Sequence, residues 1–191
     1  MRQIIGKAEQ GKKRKRNQII VGLILVGVMI LSTLGYAFND NSSENSKKIV
    51  YNGFKFENQQ GLWVLNTGGI DFGFQYNPNE VERVNGVINP LNNYTGKPLY
   101  ISSSNRNAEF EIYQNLDRFI LRKQYACLVN STCGDENLPI KTCEDNFILI
   151  EESEDNSSSI IQEQNCVFIK GNKEELVKIT DEFLFKIIGV D

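Results

Sequence analysis

Histidine is absent from this chain of 191 residues, and tryptophan occurs once, as Trp63. Every catalytic mechanism built on an imidazole is therefore excluded. The chain also lacks a C-x-x-C pair, the spacing of an EF-hand and a glycine-rich phosphate loop after a strand. With one tryptophan there is little aromatic surface on which a sugar could stack. The sequence accordingly predicts no catalytic residue, no metal ligand and no cofactor.

Charge is distributed unevenly along the chain. Residues 1–17 hold seven basic side chains and one acidic, for a net charge of +6, whereas the remainder holds 14 basic and 23 acidic, for −9. Five of the basic residues are consecutive: Lys12, Lys13, Arg14, Lys15 and Arg16. Because a long apolar segment follows directly, this run is typical of a membrane surface, and no nucleic-acid partner is predicted.

The apolar segment, residues 19–38, is long enough to cross a bilayer. It contains no charged residue, and about 20 helical residues span a hydrocarbon core. The basic flank then stays in the cytoplasm by the positive-inside rule. The sequence predicts a cytoplasmic tail (1–17), a transmembrane signal anchor (18–38), a polar linker (39–48) and an extracytoplasmic domain (49–191). One alternative is a signal peptide that is cleaved after Ala37, which would release the domain.

The first half of the domain has the pattern of strands. Apolar and polar residues alternate between positions 54 and 76, and glycines separate the alternating runs. This pattern predicts a three-stranded antiparallel meander. Residues 79–96, which are rich in asparagine, glycine and proline, are predicted as a loop, and a further strand is predicted at 99–102.

The second half combines helical and strand patterns. Apolar residues at helical spacing predict a helix of about 22 residues from Asn105, with Glu111, Gln114, Arg118 and Arg122 on its exposed face. Strands are predicted at 147–150 and 160–170, joined as a hairpin that turns near Asp155. A last helix begins near Asn172 and ends at Gly189. The fold class is therefore α+β: a largely antiparallel sheet with two amphipathic helices on one face, preceded by one transmembrane helix.

The four cysteines are predicted to form two disulfides. Cys127, Cys133, Cys143 and Cys166 lack the close pairs of a zinc site, and an exported domain meets an oxidising environment. The predicted hairpin brings Cys143 near Cys166, which leaves Cys127 to pair with Cys133.

Other polar residues have ordinary explanations. Candidate glycosylation sequons begin at Asn41, Asn93, Asn130 and Asn156, all in predicted linker or loops. The serines at 102–104 suit a turn with a capping hydroxyl, and Arg118 and Arg122 suit an exposed helix face, although the two could also bind an anion. The acidic cluster Glu151, Glu152, Glu154 and Asp155 suits a solvated loop.

Four segments, K-P-L-Y-I-S at 97–102, N-L-P-I-K-T-C-E-D-N at 137–146, Q-E-Q-N-C-V-F-I at 162–169 and T-D-E-F-L-F-K-I-I-G-V at 180–190, carry a resemblance. Their arrangement resembles small uncharacterised archaeal proteins with one amino-terminal membrane span. This resemblance implies the same topology and no functional residue.

The sequence therefore predicts a membrane-anchored, extracytoplasmic protein that acts by binding. Its expected partners are the lipid bilayer and another protein of the cell envelope, and it is not expected to be an enzyme. Two alternatives stay open. One is an envelope enzyme that uses carboxylates or a Ser/Lys pair. The other is a secreted ligand-binding module released by signal cleavage.

Overall fold

The computed structural model describes residues 7–39, 47–131, 135, 137–153 and 157–190, and in the first range it describes the side chains of 16–32 alone. The chain divides into two compact units, Met1–Asn45 and Ser46–Asp191. The first unit contains helix α1, Lys7–Asn39. Within the described ranges, no helix combines the length and the apolar character that a membrane crossing requires.

The second unit opens with an antiparallel four-stranded meander. Its strands are β1 (Lys48–Tyr51), β2 (Phe54–Gln59), β3 (Leu62–Thr67) and β4 (Ile70–Phe74), in that spatial order. The predicted three strands are confirmed, and β1 adds a fourth that begins within the expected linker. Two residues with positive φ make each connection; for example, Gln60 and Gly61 have φ of 53° and 92°. Such turns match the twist of paired strands.

The other large sheet is mixed. Its spatial order is β10 (Ser159–Glu163), β11 (Cys166–Gly171), β9 (Asn146–Glu152), β5 (Pro98–Ser103) and β6 (Arg122–Tyr125). Only β10 and β11 pair antiparallel; the other neighbours are parallel. Two short parallel strands, β7 (Cys127–Leu128) and β8 (Ile140–Lys141), form a separate pair.

The hairpin predicted between 147–150 and 160–170 is wrong. The second segment is itself a hairpin, which turns at Gln164 and Asn165, and Gln164 has a φ of 52°. Its second arm, β11, then lies parallel to β9 with Phe147 opposite Cys166. The α+β class and an antiparallel sheet are confirmed, but the five-stranded sheet is mostly parallel.

Helix α2, Arg106–Leu116, is half the predicted length. After its end, Leu121 donates its backbone N–H to the Lys97 carbonyl at 2.9 Å, and β6 continues alongside β5. Parallel neighbours need a crossover connection, and α2 provides it. Arg122, predicted on a helix face, therefore lies on an edge strand, where strand pairing overrides helical periodicity.

Helix α3, Leu176–Ile188, lies between the two large sheets. One side contacts β10 and β11. On the other side the Phe185 ring packs edge-to-face against Phe56 and tilted against Phe74, with ring centroids 5.7 and 4.6 Å away. Asn172 Oδ1 accepts the N–H groups of Glu174 and Glu175 in the turn before the helix, and Gly189 ends the helix with a φ of 77°. The predicted end at Gly189 is confirmed, whereas the helix begins at Leu176, after the predicted start near Asn172. The helix is also buried on more sides than an amphipathic stripe requires.

A second, smaller core covers the opposite face of the mixed sheet. Its buried members are Tyr100, Ala126, Leu128, Phe147, Leu149 and Cys166. The segment after β6 folds across this face, so the mixed sheet is buried on both sides.

Candidate functional site

A surface cleft lies where the β2–β3 turn, the end of β4 and the first turns of α2 meet. Its volume is about 340 Å³, and we call it the amide cleft. It is lined by Gln60, Gly61, Leu62, Gln75, Asn107, Phe110 and Glu111. Three of these side chains are amides, two are apolar, and one is ionisable.

The apolar wall of the amide cleft is exposed to solvent. Leu62 is 38% exposed and Phe110 is 60% exposed. The start of α2 fixes Phe110, because Asn105 Oδ1 accepts the N–H groups of Asn107 and Ala108 at 3.0 and 3.1 Å. Asn105 is thus the N-cap, and no hydroxyl of serines 102–104 has that role. The cap thus fixes the backbone that carries an exposed aromatic ring at the mouth of the cleft.

Glu111 is the floor of the cleft and belongs to a buried carboxyl pair. Its side chain is hydrogen-bonded to that of Asp181 on α3, and the two residues are 4% and 0% exposed. One oxygen of each, Glu111 Oε2 and Asp181 Oδ1, has no hydrogen-bond partner among the described residues. A proton held by the pair would supply a donor there, since a protonated carboxyl donates to an ionised one.

Burial raises the pKa of Glu111 to about 7 and holds the pKa of Asp181 well above its usual range. The negative charge of Glu111 raises the pKa of Asp181 further. Backbone N–H groups act in the opposite direction; the Tyr76 N–H donates to Asp181 Oδ2 at 2.9 Å. Because burial outweighs these donors, the pair retains a proton near neutral pH.

The pair continues a row of side chains along the open edge of β4. Asn115 on α2 accepts the backbone N–H of Gly73, and Asp181 on α3 accepts the backbone N–H of Tyr76, three residues farther along the chain. An unpaired strand edge presents free backbone groups, and these buried side chains satisfy them. The prediction that Glu111 lies on an exposed helix face is therefore wrong, because β4 and α3 cover that face.

Chemically, the amide cleft offers donors and acceptors without a full charge. Amides both donate and accept, and Glu111 adds a carboxyl whose charge is suppressed by burial. Asp181 lies behind Glu111 and is not among the residues that line the cleft. The arrangement suits the recognition of neutral polar groups beside an apolar side chain.

The disulfide between Cys143 and Cys166 is confirmed, with Cα atoms 4.9 Å apart. The two cysteines are adjacent because β9 and β11 are parallel neighbours, and not because of the predicted hairpin. Cys127 is also disulfide-bonded. Its predicted partner, Cys133, lies outside the described residues.

Other residues singled out in the sequence are scattered. Glu151 lies on β9 and pairs with Lys170 at 3.1 Å; Glu152 is the last residue of that strand. Glu154 and Asp155 lie outside the described residues. Arg118 is exposed after α2, and Arg122 lies on β6, so the two do not share a helix face.

The candidate glycosylation sites differ in exposure. Asn130 is exposed, and Asn93 is half-buried in a short 3₁₀ helix, Leu91–Asn93. Asn41 and Asn156 lie outside the described residues. The basic run Lys12, Lys13, Arg14, Lys15 and Arg16 falls within the backbone of α1, and Arg16 is exposed.

Comparison with known proteins gives no match: no family model, curated protein or solved structure is similar to this chain. Among the described residues, no group of three acidic or cysteine side chains is placed to hold a metal ion. The candidate site is therefore assigned from its own chemistry.

Proposed function

We propose that this protein is a membrane-anchored, extracytoplasmic module that binds another protein of the cell envelope through the amide cleft. The observation that carries the proposal is the exposed ring of Phe110 beside three amides and a buried carboxyl. Exposed aromatic residues next to polar groups are typical of recognition surfaces.

The chemistry of the cleft favours a protein segment over a charged ligand. Nucleic acids and phosphorylated ligands require cations, and no Lys or Arg lines the cleft. Gln60, Gln75 and Asn107 can pair with the N–H and C=O groups of an extended peptide, while Leu62 and Phe110 contact one of its apolar side chains. The proposed occupant is therefore a segment of a partner protein with an apolar anchor residue.

The sequence supports the anchor. Residues 19–38 are uncharged, and those with described side chains form a helix whose large apolar side chains are between 47% and 72% exposed. A water-soluble helix would not expose such a surface without a partner, and a bilayer covers it. The disulfide between Cys143 and Cys166 supports an oxidising compartment for the domain.

Site-specific photocrosslinking tests the binding proposal. A photoreactive phenylalanine at position 110, in the full chain in native membranes, should give one reproducible adduct that Leu62→Ser reduces. The matched control places the same probe at Val87, which is 94% exposed and lies outside the cleft. Adducts of equal yield from both positions would contradict a specific cleft.

Membrane fractionation tests the anchor separately. We expect the full chain to resist alkaline extraction and to retain its amino terminus. Sequencing that finds mature protein beginning at Phe38 would instead support the released, secreted form. Protease added outside intact cells should digest the domain and spare residues 1–17.

A second candidate, an envelope hydrolase, rests on Glu111. A carboxyl with a pKa near 7 at a cleft is suited to general acid catalysis. Only one carboxyl lines the cleft, whereas most glycoside hydrolases need two. Turnover of a glycoside or peptide panel that is lost in Glu111→Gln, with the fold intact, would favour this candidate.

A further inference from the structure

Three hydrogen-bond donors from separate strands converge on one side of the second core. Arg122 Nη2 on β6 donates to the phenol oxygen of Tyr100 on β5 at 3.0 Å. Lys141 Nζ on β8 lies 4.2 Å from the centroid of the same ring, and its ammonium lowers the pKa of the phenol. We call these three side chains the Tyr100 cluster.

The ring of Tyr100 is a rigid base for this cluster. Tyr100 is 2% exposed and packs in the second core, where Phe147 lies opposite it on β9. Arg122 and Lys141 approach from the edge strand β6 and from β8, so three different elements fix the geometry. The phenol oxygen thus stays in place when the two cations move.

The positive charge of the cluster is only partly balanced. Asp145 Oδ2 lies 3.4 Å from Lys141 Nζ and offsets one cation. Arg122 makes no ion pair with any described residue, and the one hydrogen bond that its side chain makes to a described residue goes to the phenol. A guanidinium with one phenol contact retains several N–H donors for a ligand.

The response of the phenol shows that this environment favours negative charge. Hydrogen bonds from Lys141 and Arg122 lower the pKa of Tyr100, and the same phenol raises the pKa of Lys141. An anion placed among the three groups would receive the same stabilisation from two cations and from the phenol O–H.

We propose that Tyr100, Arg122 and Lys141 form a binding site for a single oxyanion group, a phosphate or a sulfate. Arg122 supplies a planar fork that matches two oxygens of such a group, and Lys141 supplies a point charge. Tyr100 remains neutral and donates its O–H to a third oxygen. The site is separate from the amide cleft, because none of the three residues lines it.

Calorimetric titration of the full chain in a non-ionic detergent tests this site. The probes are inorganic phosphate, inorganic sulfate and dihexanoyl phosphatidic acid, at constant ionic strength set with sodium chloride. We expect saturable binding of one anion per chain, weakened about tenfold or more in Arg122→Gln and in Lys141→Gln. Binding of the inorganic anions indicates a free oxyanion, and binding of the lipid alone indicates a headgroup.

The matched control is Lys123→Gln. This change removes one positive charge from the residue next to Arg122. Lys123 lies outside the Tyr100 cluster, because its Nζ contacts Asp117 and the ring of Tyr113. Its affinity for the anion should equal that of the unmodified protein. Equal weakening in Lys123→Gln and Arg122→Gln would show a general charge effect and overturn the proposal, as would the absence of saturable binding.

Ultraviolet titration of the phenols gives a second readout. An anion at the site disfavours the phenolate, so phosphate should raise the pKa of the phenol that is missing in Tyr100→Phe. By linkage, phosphate should bind more weakly once that phenol ionises. A Tyr100 ionisation that phosphate does not shift would contradict direct contact between the anion and the phenol.

Discussion

Asn115 and Gly73 exchange two hydrogen bonds: Asn115 Oδ1 accepts the Gly73 N–H at 2.9 Å, and Asn115 Nδ2 donates to the Gly73 carbonyl at 2.8 Å. A side-chain amide on a helix thereby takes the place of a neighbouring strand. The contact covers the open edge of β4. Two residues farther along the chain, the backbone of Gln75 contacts the carboxyl pair of Glu111 and Asp181.

Replacing Asn115 with leucine should destabilise the domain. Asn115 is 1% exposed, so the change leaves the Gly73 N–H without its partner inside the protein. A buried unsatisfied donor costs about 1–3 kcal/mol, and we expect a loss in that range. Thermal unfolding of the full chain, followed by circular dichroism, measures it. Asn85→Leu, on an exposed loop, is the control, and equal losses in both variants would contradict the role of Asn115.

Replacing Gly171 with alanine should also destabilise the domain, by overpacking. An added Cβ would overlap Ile179 Cδ1, where β11 meets α3. Overpacking of this kind costs about 1–3 kcal/mol. Ile179→Val removes that methyl group, so the double variant should be more stable than the sum of the single changes predicts. Strict additivity in the double-mutant cycle would exclude this contact as the cause.

The carboxyl pair should make stability depend on pH. The folded-state pKa of Glu111, about 7, lies above its ordinary value of 4.5, so the folded state binds the proton more tightly. The resulting stability is fully present below the unfolded pKa and is lost as pH rises through the folded pKa. We therefore expect the melting temperature to fall as pH rises from about 4.5 through about 7, where Glu111 ionises; ionisation of Asp181, whose pKa is also raised, lowers stability in the same direction.

Glu111→Gln should flatten this dependence, because glutamine retains hydrogen-bonding capacity and does not titrate in this range. The control is Glu57→Gln. Glu57 is paired with Lys48 and Lys55, and hydrogen bonds from these residues lower its pKa, so its linkage lies at acidic pH. A slope that is unchanged in Glu111→Gln would assign the pH dependence to other groups.

Removing the disulfide between Cys143 and Cys166 should lower stability. The bond closes a sequence separation of 23 residues and ties the start of β9 to the start of β11. Restriction of the unfolded chain by such a loop contributes about 2–4 kcal/mol. Denaturant unfolding of the Cys143→Ala, Cys166→Ala double variant measures this loss. A non-reducing peptide map that joins Cys127 to Cys166 would contradict the pairing itself.

Local patterns predicted the elements whose partners are close in sequence. The meander between β2 and β4 follows from strict alternation and tight turns, and α3 follows from its periodicity and its stop at Gly189. Where partners are distant, the same reasoning failed. The helix predicted from Asn105 was too long because its second half pairs with β5, which the periodicity does not encode.

The burial of Glu111 was also predicted wrongly, because its partners are distant in the sequence. Glu111 occupies the polar side of α2 when that helix is considered alone, and such a residue is normally solvated. One signal was available: Asp181 and Glu182 lie side by side in the middle of α3, between the apolar pairs Leu176–Val177 and Ile187–Ile188. Acidic residues inside a buried helix need partners, so this segment could have indicated a carboxyl pair without naming Glu111.

The sequence by itself determined the charged amino-terminal run, the uncharged segment that follows it, the α+β class of the domain and the absence of any imidazole chemistry. Each depends on composition or on contacts between near neighbours. Only the tertiary structure decided that α3 lies between two sheets, that Glu111 faces Asp181, and that Arg122 and Lys141 meet at Tyr100. The reason is physical. Burial raises the pKa of a carboxyl, and strengthens the interaction between charges, only where segments distant in the sequence exclude water together. No local pattern encodes which segments those are.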